Sequence, residues 1–151
     1  MPTSSGLLLY RDTDQGVEVL LGHMGGPFWA RKQARAWSIP KGEHDAAEDP
    51  HAAAVREFTE EIGQPPPPGP EFSLGTVQQR GGKTVTAWAR RADLDVSTIR
   101  SNTFEIEWPP GSGRLQSFAE MDRAEWFDLT AARAAIVKGQ WPALDAVARR
   151  Y

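Results

Sequence analysis

Residues 42–64 read GEHDAAEDPHAAAVREFTEEIGQ and contain the best-bounded helix of the chain. Asp49 is a favourable N-cap, and Pro50 follows at the first helical position, where its missing N–H costs no hydrogen bond. Three consecutive alanines favour the helical interior, and Gly63 is a typical terminating residue. The stretch therefore predicts a helix over residues 50–62, around which the rest of the fold is organised.

Three glutamates of this helix share one face. At about 100° per residue, Glu57, Glu60 and Glu61 stand at i, i+3 and i+4 and centre near ~190° when Val55 is set to zero. An apolar stripe centres near ~330°. It consists of Val55, Phe58 and Ile62. We therefore expect the apolar stripe to pack on a sheet and the carboxylates to face outward or into a cleft.

The glutamate face is electrostatically unfavourable as it stands. Glu57 and Glu61 repel each other at i, i+4, and carboxylates in the last turn oppose the helix dipole. A divalent cation such as Mg²⁺ or Mn²⁺, which prefers carboxylate oxygens, would relieve this conflict. Glutamate-rich helices with a solvated acidic face are also common, so the spacing alone leaves both interpretations open.

The residues before the helix favour the metal interpretation. Gly42, five residues, Glu48, seven residues and then REFTEEIG at 56–63 resemble the Nudix box of the Nudix hydrolase family. All seven fixed residues are present, Phe58 fills the first apolar position, and the one departure is Gln64, where the family usually has an aliphatic residue. The flanking segments SGLLLY, WSIPKG and EWF are also similar to family positions. The resemblance implies the Nudix fold, in which helices enclose a mixed β-sheet.

The resemblance also implies roles for residues of the box. Glu57, Glu60 and Glu61 would be metal ligands together with the carbonyl of Gly42, and the metal would be Mg²⁺, with Mn²⁺ as a substitute. Arg56 would hold the glutamates by bidentate pairing. Glu57 is the first choice for the general base within the box. The implied reaction is hydrolysis of a pyrophosphate bond in a nucleoside diphosphate linked to another group, by water attack on phosphorus.

Three later glutamates are further candidates for an outer ligand or base. Glu105 and Glu107 alternate along a predicted strand, and Glu120 lies in a loop. For each one taken singly, a solvated side chain is the simpler interpretation. Glu120 ranks first because loops carry catalytic groups disproportionately.

Basic and aromatic residues are candidates for contacts with the substrate. Lys41 directly precedes Gly42, whereas Arg80 and Lys83 flank a Gly-Gly turn, for which a charged hairpin tip is the favoured interpretation. Phe28 and Trp29 lie in a Gly-Pro loop that is difficult to bury, and they are the candidates for stacking on a base. A basic rim on the same loop, as likely to be merely solvated, consists of Arg31, Lys32 and Arg35.

The remaining pattern predicts short strands and two terminal helices. Predicted strands lie at 6–11, 17–21, 37–39, 72–79, 84–89 and 104–108, a short apolar piece follows at 126–127, and predicted helices lie at 130–137 and 142–149. The first two strands and the strands on either side of Gly81-Gly82 each predict a hairpin. The fold class is therefore α/β, or mixed α+β, in a single domain over residues 1–151.

Composition excludes several classes of function. The chain has 151 residues, no cysteine, and a formal net charge of −3. These values exclude thiol nucleophiles and cysteine-based zinc sites, and they argue against a nucleic-acid-binding surface. No apolar run approaches the ~20 residues of a membrane span, so we expect a cytoplasmic protein that does not bind membranes. The partner would be a small nucleotide, with a nucleoside triphosphate or dinucleoside polyphosphate favoured, and a homodimer stays open.

The alternative to an enzyme is a nucleotide-binding or regulatory module on a Nudix scaffold that does not turn over its ligand. Such modules usually carry a degraded box, whereas every carboxylate of the box is present here. The sequence therefore favours the hydrolase.

Overall fold

The computed structural model describes residues 3–78 and 82–150. The strands are β1 (Thr3–Thr13), β2 (Gly16–Met24), β3 (Trp37–Ser38), β4 (Lys41–His44), β5 (Glu71–Gln78), β6 (Thr84–Arg91), β7 (Thr103–Glu107), β8 (Leu115–Ala119) and β9 (Met121–Asp128). The helices are α1 (Pro50–Ile62), α2 (Leu129–Ala135) and α3 (Trp141–Ala148), with 3₁₀ turns at Val96–Thr98 and Lys138–Gln140. Within the described residues, no helix is long and apolar enough to cross a membrane.

The central sheet is mixed, with β1 at its centre. β1 runs parallel to β6 along its length and antiparallel to β2 near their connecting turn. Further from this turn β1 and β2 no longer pair with each other. There β4 pairs with β1 over Thr3 to Gly6, and β3 pairs with β2 at Gly22 and His23. A bond from the Leu7 N–H to the Pro40 carbonyl (3.1 Å) closes the gap. The short segment before the helix is thereby held in the middle of the sheet.

Helices cover both faces of the sheet. Alternation along β1 sends Leu7 and Leu9 to the face covered by α1, and Leu8 and Tyr10 to the face covered by α2 and α3. Fully buried leucines of β2 join both layers. This arrangement confirms the predicted α/β class and the expected sheet between helices.

Helix α1 has the predicted bounds and caps. The Asp49 side chain accepts from the Ala52 N–H, and Gly63 ends the helix in the left-handed conformation with φ 86°. The expected apolar stripe was wrong in one member, because Val55 is only half-buried. Ala54 takes its place, and with Phe58 and Ile62 it forms an i, i+4, i+8 row that packs on the sheet.

Two regions differ from the sequence prediction. β7 pairs with β8 to form a separate two-stranded hairpin, and the sequence LQSFA of β8 has no regular alternation that would predict a strand. The short apolar piece at 126–127 lies near the end of a strand that was not predicted, β9, which pairs with β2. The strands β5 and β6 pair antiparallel as expected, and the residues 79–81 of their connection lie outside the described part of the chain.

Candidate active site

Helix α1 and strand β4 bring the box residues together. The Glu57 side chain lies against the backbone of Gly42 so closely that a Cβ there would be 2.1 Å from the Glu57 Cδ. Glu57 is only 8% exposed, so its carboxylate has little room to withdraw. Glycine at position 42 is therefore required by this close approach rather than by backbone strain.

Arg56 ties the carboxylates to the loop before the helix. Its Nε and Nη2 donate to the two oxygens of Glu48, both at 2.9 Å. Its Nη1 donates to Glu57 (3.1 Å) and to Glu60 (3.3 Å). The bonds to Glu48 raise the pKa of Arg56, and the same bonds lower the pKa of Glu48. The bidentate partner is thus Glu48, while Glu57 and Glu60 are held by the third nitrogen.

Glu61 is anchored by the backbone of β4. The Lys41 N–H donates to its Oε2 at 3.0 Å. Burial disfavours the charged carboxylate and raises the pKa of Glu61 to about 8, against the lowering effect of this bond. The pKa of Glu57 is also raised, mainly by burial and next by the negative charge of Glu60. The helix therefore presents one buried and one half-buried glutamate, Glu57 and Glu61, that are costly to ionise together.

Glu120 is brought to the same site from the turn between β8 and β9. Its negative charge raises the pKa of both Glu57 and Glu61. Its backbone is fixed on two sides: its N–H donates to the Asn102 carbonyl (2.8 Å), and its carbonyl accepts from the Gly25 N–H (2.9 Å). Four carboxylates from two distant parts of the chain thus face one region, although the catalytic role of Glu120 stays a prediction.

The donor set suits a hard divalent cation in its chemistry. Carboxylate oxygens from Glu57, Glu60 and Glu61 and the Gly42 carbonyl lie at the junction of α1 and β4. Among the described residues, no three acidic or histidine side chains are yet arranged to hold an ion at once. Arg56 donates to Oε1 of Glu57 and to both oxygens of Glu60, and the Lys41 N–H donates to Oε2 of Glu61. The metal-ligand assignment stays a prediction.

A cavity of about 340 Å³ adjoins this carboxylate site. It is lined by Met24, Ser38, Lys41, Lys83, Val137, Gly139 and Gln140. Lys41 and Lys83, the two lysines predicted to bind phosphate, are 42 positions apart in the sequence and line the same cavity. Lys83 directly precedes β6. Arg80, the third predicted basic contact, lies outside the described residues.

The other predicted residues are dispersed. Phe28 is 56% exposed and contacts Trp108 edge-on, whereas Trp29 is half-buried against the core layer of α2 and α3. Glu105 is exposed on β7, and Glu107 accepts from the Gly111 N–H at 2.7 Å. Arg35, a member of the predicted basic rim, donates to the carbonyls of Arg133 and Ala134 and thereby caps the C-terminal end of α2.

Sequence reasoning missed the polar floor of the cavity. The fully buried Gln140 accepts from the Ile39 N–H (2.9 Å) and donates to the Ser38 hydroxyl (3.0 Å). Gln140 lies about 100 residues from its partners, in a 3₁₀ turn with no motif, so nothing local indicated it. His23 was also given no role, yet it is buried and bonded to Asp122 and to the Lys32 carbonyl, which anchors the loop after β2.

The fold and this site together define the class. A family model described as NUDIX domain matches residues 2–147, and the chain therefore belongs to this family, as the box predicted. An RNA pyrophosphohydrolase from Rhodospirillum rubrum is 46% identical over 65 residues, which cover 41% of this chain and 38% of that protein. The match thus spans less than half of the relative's length.

Solved structures show the same fold. A C. elegans Ap4A hydrolase in a binary complex aligns with a TM-score of 0.65 and 21% identity over 97% of this chain and 96% of that one. The NUDIX domain of Shewanella oneidensis NrtR, crystallised with ADP ribose, aligns with a TM-score of 0.63 and 17% identity over 99% of this chain and 88% of that one. Identities this low establish the shared fold and nothing more specific.

Proposed function

We propose that this protein is a divalent-metal-dependent pyrophosphohydrolase whose substrate is a nucleoside triphosphate or a dinucleoside polyphosphate. The observation that carries the proposal is the convergence of Glu57, Glu60, Glu61 and Glu120 beside a cavity lined by Lys41 and Lys83. Carboxylates that attract cations and lysines that attract phosphates thus adjoin each other. This is the arrangement that phosphoryl chemistry requires.

Each residue of the chain has a defined task in this reaction. When bound, Mg²⁺ or Mn²⁺ would neutralise phosphate oxygens and activate a water molecule. Glu57, Glu60, Glu61 and the Gly42 carbonyl would hold it. Arg56 keeps Glu57 and Glu60 oriented through its fixed pairing with Glu48. The proton of the attacking water passes to a site carboxylate, Glu57 first and Glu120 second.

The cavity accounts for substrate binding. Lys41 and Lys83 donate to the phosphate oxygens, and the cavity volume of about 340 Å³ falls within the range of roughly 300–1,000 Å³ that is usual for ligand pockets. The Gln140 amide nitrogen carries two donors, one of which serves Ser38. Because Gln140 is fully buried, it shapes the floor of the cavity through this bond and does not contact the substrate. The names of the R. rubrum relative and of the C. elegans neighbour support a pyrophosphate bond in a nucleotide as the target.

A nucleotide-binding module without turnover is the second candidate. The crystal structure of the NUDIX domain of NrtR contains ADP ribose, so a nucleotide is the ligand to test for such a module. The complete set of box carboxylates favours the enzyme, because a binding module does not need them. The small-nucleotide partner, the cytoplasmic location and the homodimer stay predictions.

The test is product release over a panel of substrates with Mg²⁺ or Mn²⁺. The panel contains nucleoside triphosphates, dinucleoside polyphosphates, ADP ribose and an RNA oligonucleotide with a 5′-triphosphate. We expect metal-dependent turnover that Glu61→Gln removes and the exposed control Glu105→Gln leaves intact. No turnover, with nucleotide and metal still raising the melting temperature, would instead establish the binding module.

A further inference from the structure

The β7–β8 hairpin displays aromatic side chains that neither core layer uses. Phe104 and Ile106 lie on one face of β7, Trp108 follows directly after the strand, and Phe118 lies opposite Phe104 on β8 with ring centroids 6.1 Å apart. All four are only half-buried, and none belongs to the two clusters that pack the sheet. An isolated two-stranded hairpin gains little from such exposed rings, so their packing does not explain them.

The loop after β2 adds Phe28 to this aromatic face. The Phe28 ring meets Trp108 edge-on at 5.4 Å between centroids. At Gly26, a Cβ would lie 2.8 Å from Cζ of Phe104, so the loop contacts the same hairpin face at two points. Phe28 and Leu115 are the two large apolar side chains most exposed among the described residues, at 56% and 69%. Only Phe28 lies against the aromatic face.

The aromatic face borders the carboxylate site. The segment that leads into β7 is bonded to the end of α1, where the Asn102 N–H donates to the Glu60 carbonyl at 2.9 Å. The strand β8 leads out of the hairpin directly to Glu120, and the Glu120 carbonyl accepts from Gly25 at the start of the Phe28 loop. Both chain ends of the hairpin and the start of the loop therefore lie at the carboxylates, whereas Phe28 and Trp108 meet near the opposite end of the hairpin, where Glu107 pairs with Leu115.

The charge near Phe28 suits a phosphate-bearing ligand. Arg31 and Lys32 are exposed three and four residues after Phe28, and within the described part of the chain neither forms an ion pair with an acidic side chain. Cations beside exposed rings, in a chain whose net charge is −3, favour an aromatic base that is joined to phosphates.

We propose that Phe28 and Trp108 form a stacking site for a second nucleobase, so that the preferred substrate is a dinucleoside polyphosphate. One nucleoside enters the cavity of Lys41 and Gln140, the phosphates pass the carboxylates, and the other base stacks on Phe28. The inference rests on the proposed function for the position of the phosphates. Stacking tolerates any base, so we expect discrimination by the number of bases rather than by their identity.

The test measures binding separately from turnover. Two methylene-bridged analogues that resist hydrolysis, one of a dinucleoside tetraphosphate and one of a nucleoside triphosphate, are titrated with Mg²⁺ by calorimetry. We expect Phe28→Ala to weaken binding of the two-base analogue about tenfold and to leave the one-base analogue unchanged. Phe28→Trp keeps a stacking ring and should restore the affinity.

Leu115→Ala is the matched control, because Leu115 is exposed on the same hairpin but lies opposite Glu107, on the other face. It should leave both affinities unchanged. The proposal is overturned if Phe28→Ala weakens both analogues equally or neither, or if Leu115→Ala has the same effect. Because the analogues are not hydrolysed, an inactive wild-type protein would contradict the proposed function while the binding result still decides the stacking site.

Discussion

The backbone N–H of Lys41 donates to the Oε2 of Glu61 at 3.0 Å. This bond joins β4 to the last turn of helix α1. Carboxylates in that turn are disfavoured by the helix dipole. The side chain of Lys41 meanwhile lines the cavity. One residue thus positions a carboxylate through its backbone and meets the substrate through its side chain, and these two tasks can be separated by mutation.

Lys41→Ala should therefore affect binding more than chemistry. The substitution retains the N–H that holds Glu61 and removes the ammonium group from the cavity. We expect KM to rise about tenfold, as is typical for the loss of one charge-assisted hydrogen bond, with kcat within about twofold of wild type. Steady-state kinetics measures the split, and Arg149→Ala, exposed beyond α3, is the control. A fall in kcat with KM unchanged would place Lys41 in the chemical step instead.

Gly42→Ala should disturb the site without unfolding the protein. The new Cβ would displace the Glu57 carboxylate, which it would approach to 2.1 Å. Overpacking of this kind costs about 1–3 kcal/mol, and we expect the rise in melting temperature on adding Mg²⁺ to be lost. Thermal melting with and without Mg²⁺ checks this, and the exposed neighbour Glu43→Ala should keep the rise. An unchanged Mg²⁺ response in Gly42→Ala would show that Glu57 does not bind the ion.

Arg56→Lys should fail to substitute for arginine. A single ammonium group cannot donate to Glu48 in two parallel bonds and reach Glu57 and Glu60 as well. We expect about a tenfold loss of kcat and roughly 1 kcal/mol of stability, measured by turnover and by urea unfolding. Arg91→Lys, at an exposed pair with Asp12, should change stability by less than about 0.5 kcal/mol. Equal losses of kcat and stability in the two variants would mean that the paired bonds from Arg56 to Glu48 have no special role.

The raised pKa of Glu61 predicts how stability depends on pH in the metal-free protein. With a pKa of about 8 in the folded state and 4.5 as the ordinary value, the folded protein holds a proton that the unfolded chain releases. The free energy of unfolding should therefore fall as pH rises from about 4.5 to 8, and this loss is complete above the folded-state pKa.

Glu61→Gln removes this slope, because glutamine keeps the acceptor for the Lys41 N–H without the charge. In EDTA at pH 8.5 the variant should melt at least about 3 °C above wild type, and the difference should vanish near pH 5. Melting curves across this range provide the measurement, with Glu105→Gln as the exposed control. A difference that is independent of pH would show that Glu61 is not protonated in the folded protein.

The local features of the fold were predictable because the signals are local. Asp49, Pro50 and Gly63 act within a few residues of themselves, and helix α1 has the predicted bounds. The error at Val55 arose because a helical wheel defines a stripe but not which edge of it meets the sheet. Strand β8 was missed because it is stabilised by its pairing with β7, and its own sequence LQSFA has no clear alternation.

The site was predictable only where residues lie close in the sequence. The box carboxylates follow from spacing on one helix. The cavity requires Gln140 to reach Ser38 across about 100 residues, and the aromatic face requires a loop at 26–28 to meet a hairpin at 103–119. Such contacts depend on tertiary packing, which a single sequence does not encode in any short pattern.

The most direct test compares metal-dependent turnover by wild type and Glu61→Gln on the best substrate of the panel. We expect turnover that requires Mg²⁺ or Mn²⁺ and falls by about 100-fold or more in the variant, which should still fold cooperatively. Turnover that is independent of metal, or equal in both proteins, would contradict the assignment of these carboxylates to pyrophosphate hydrolysis.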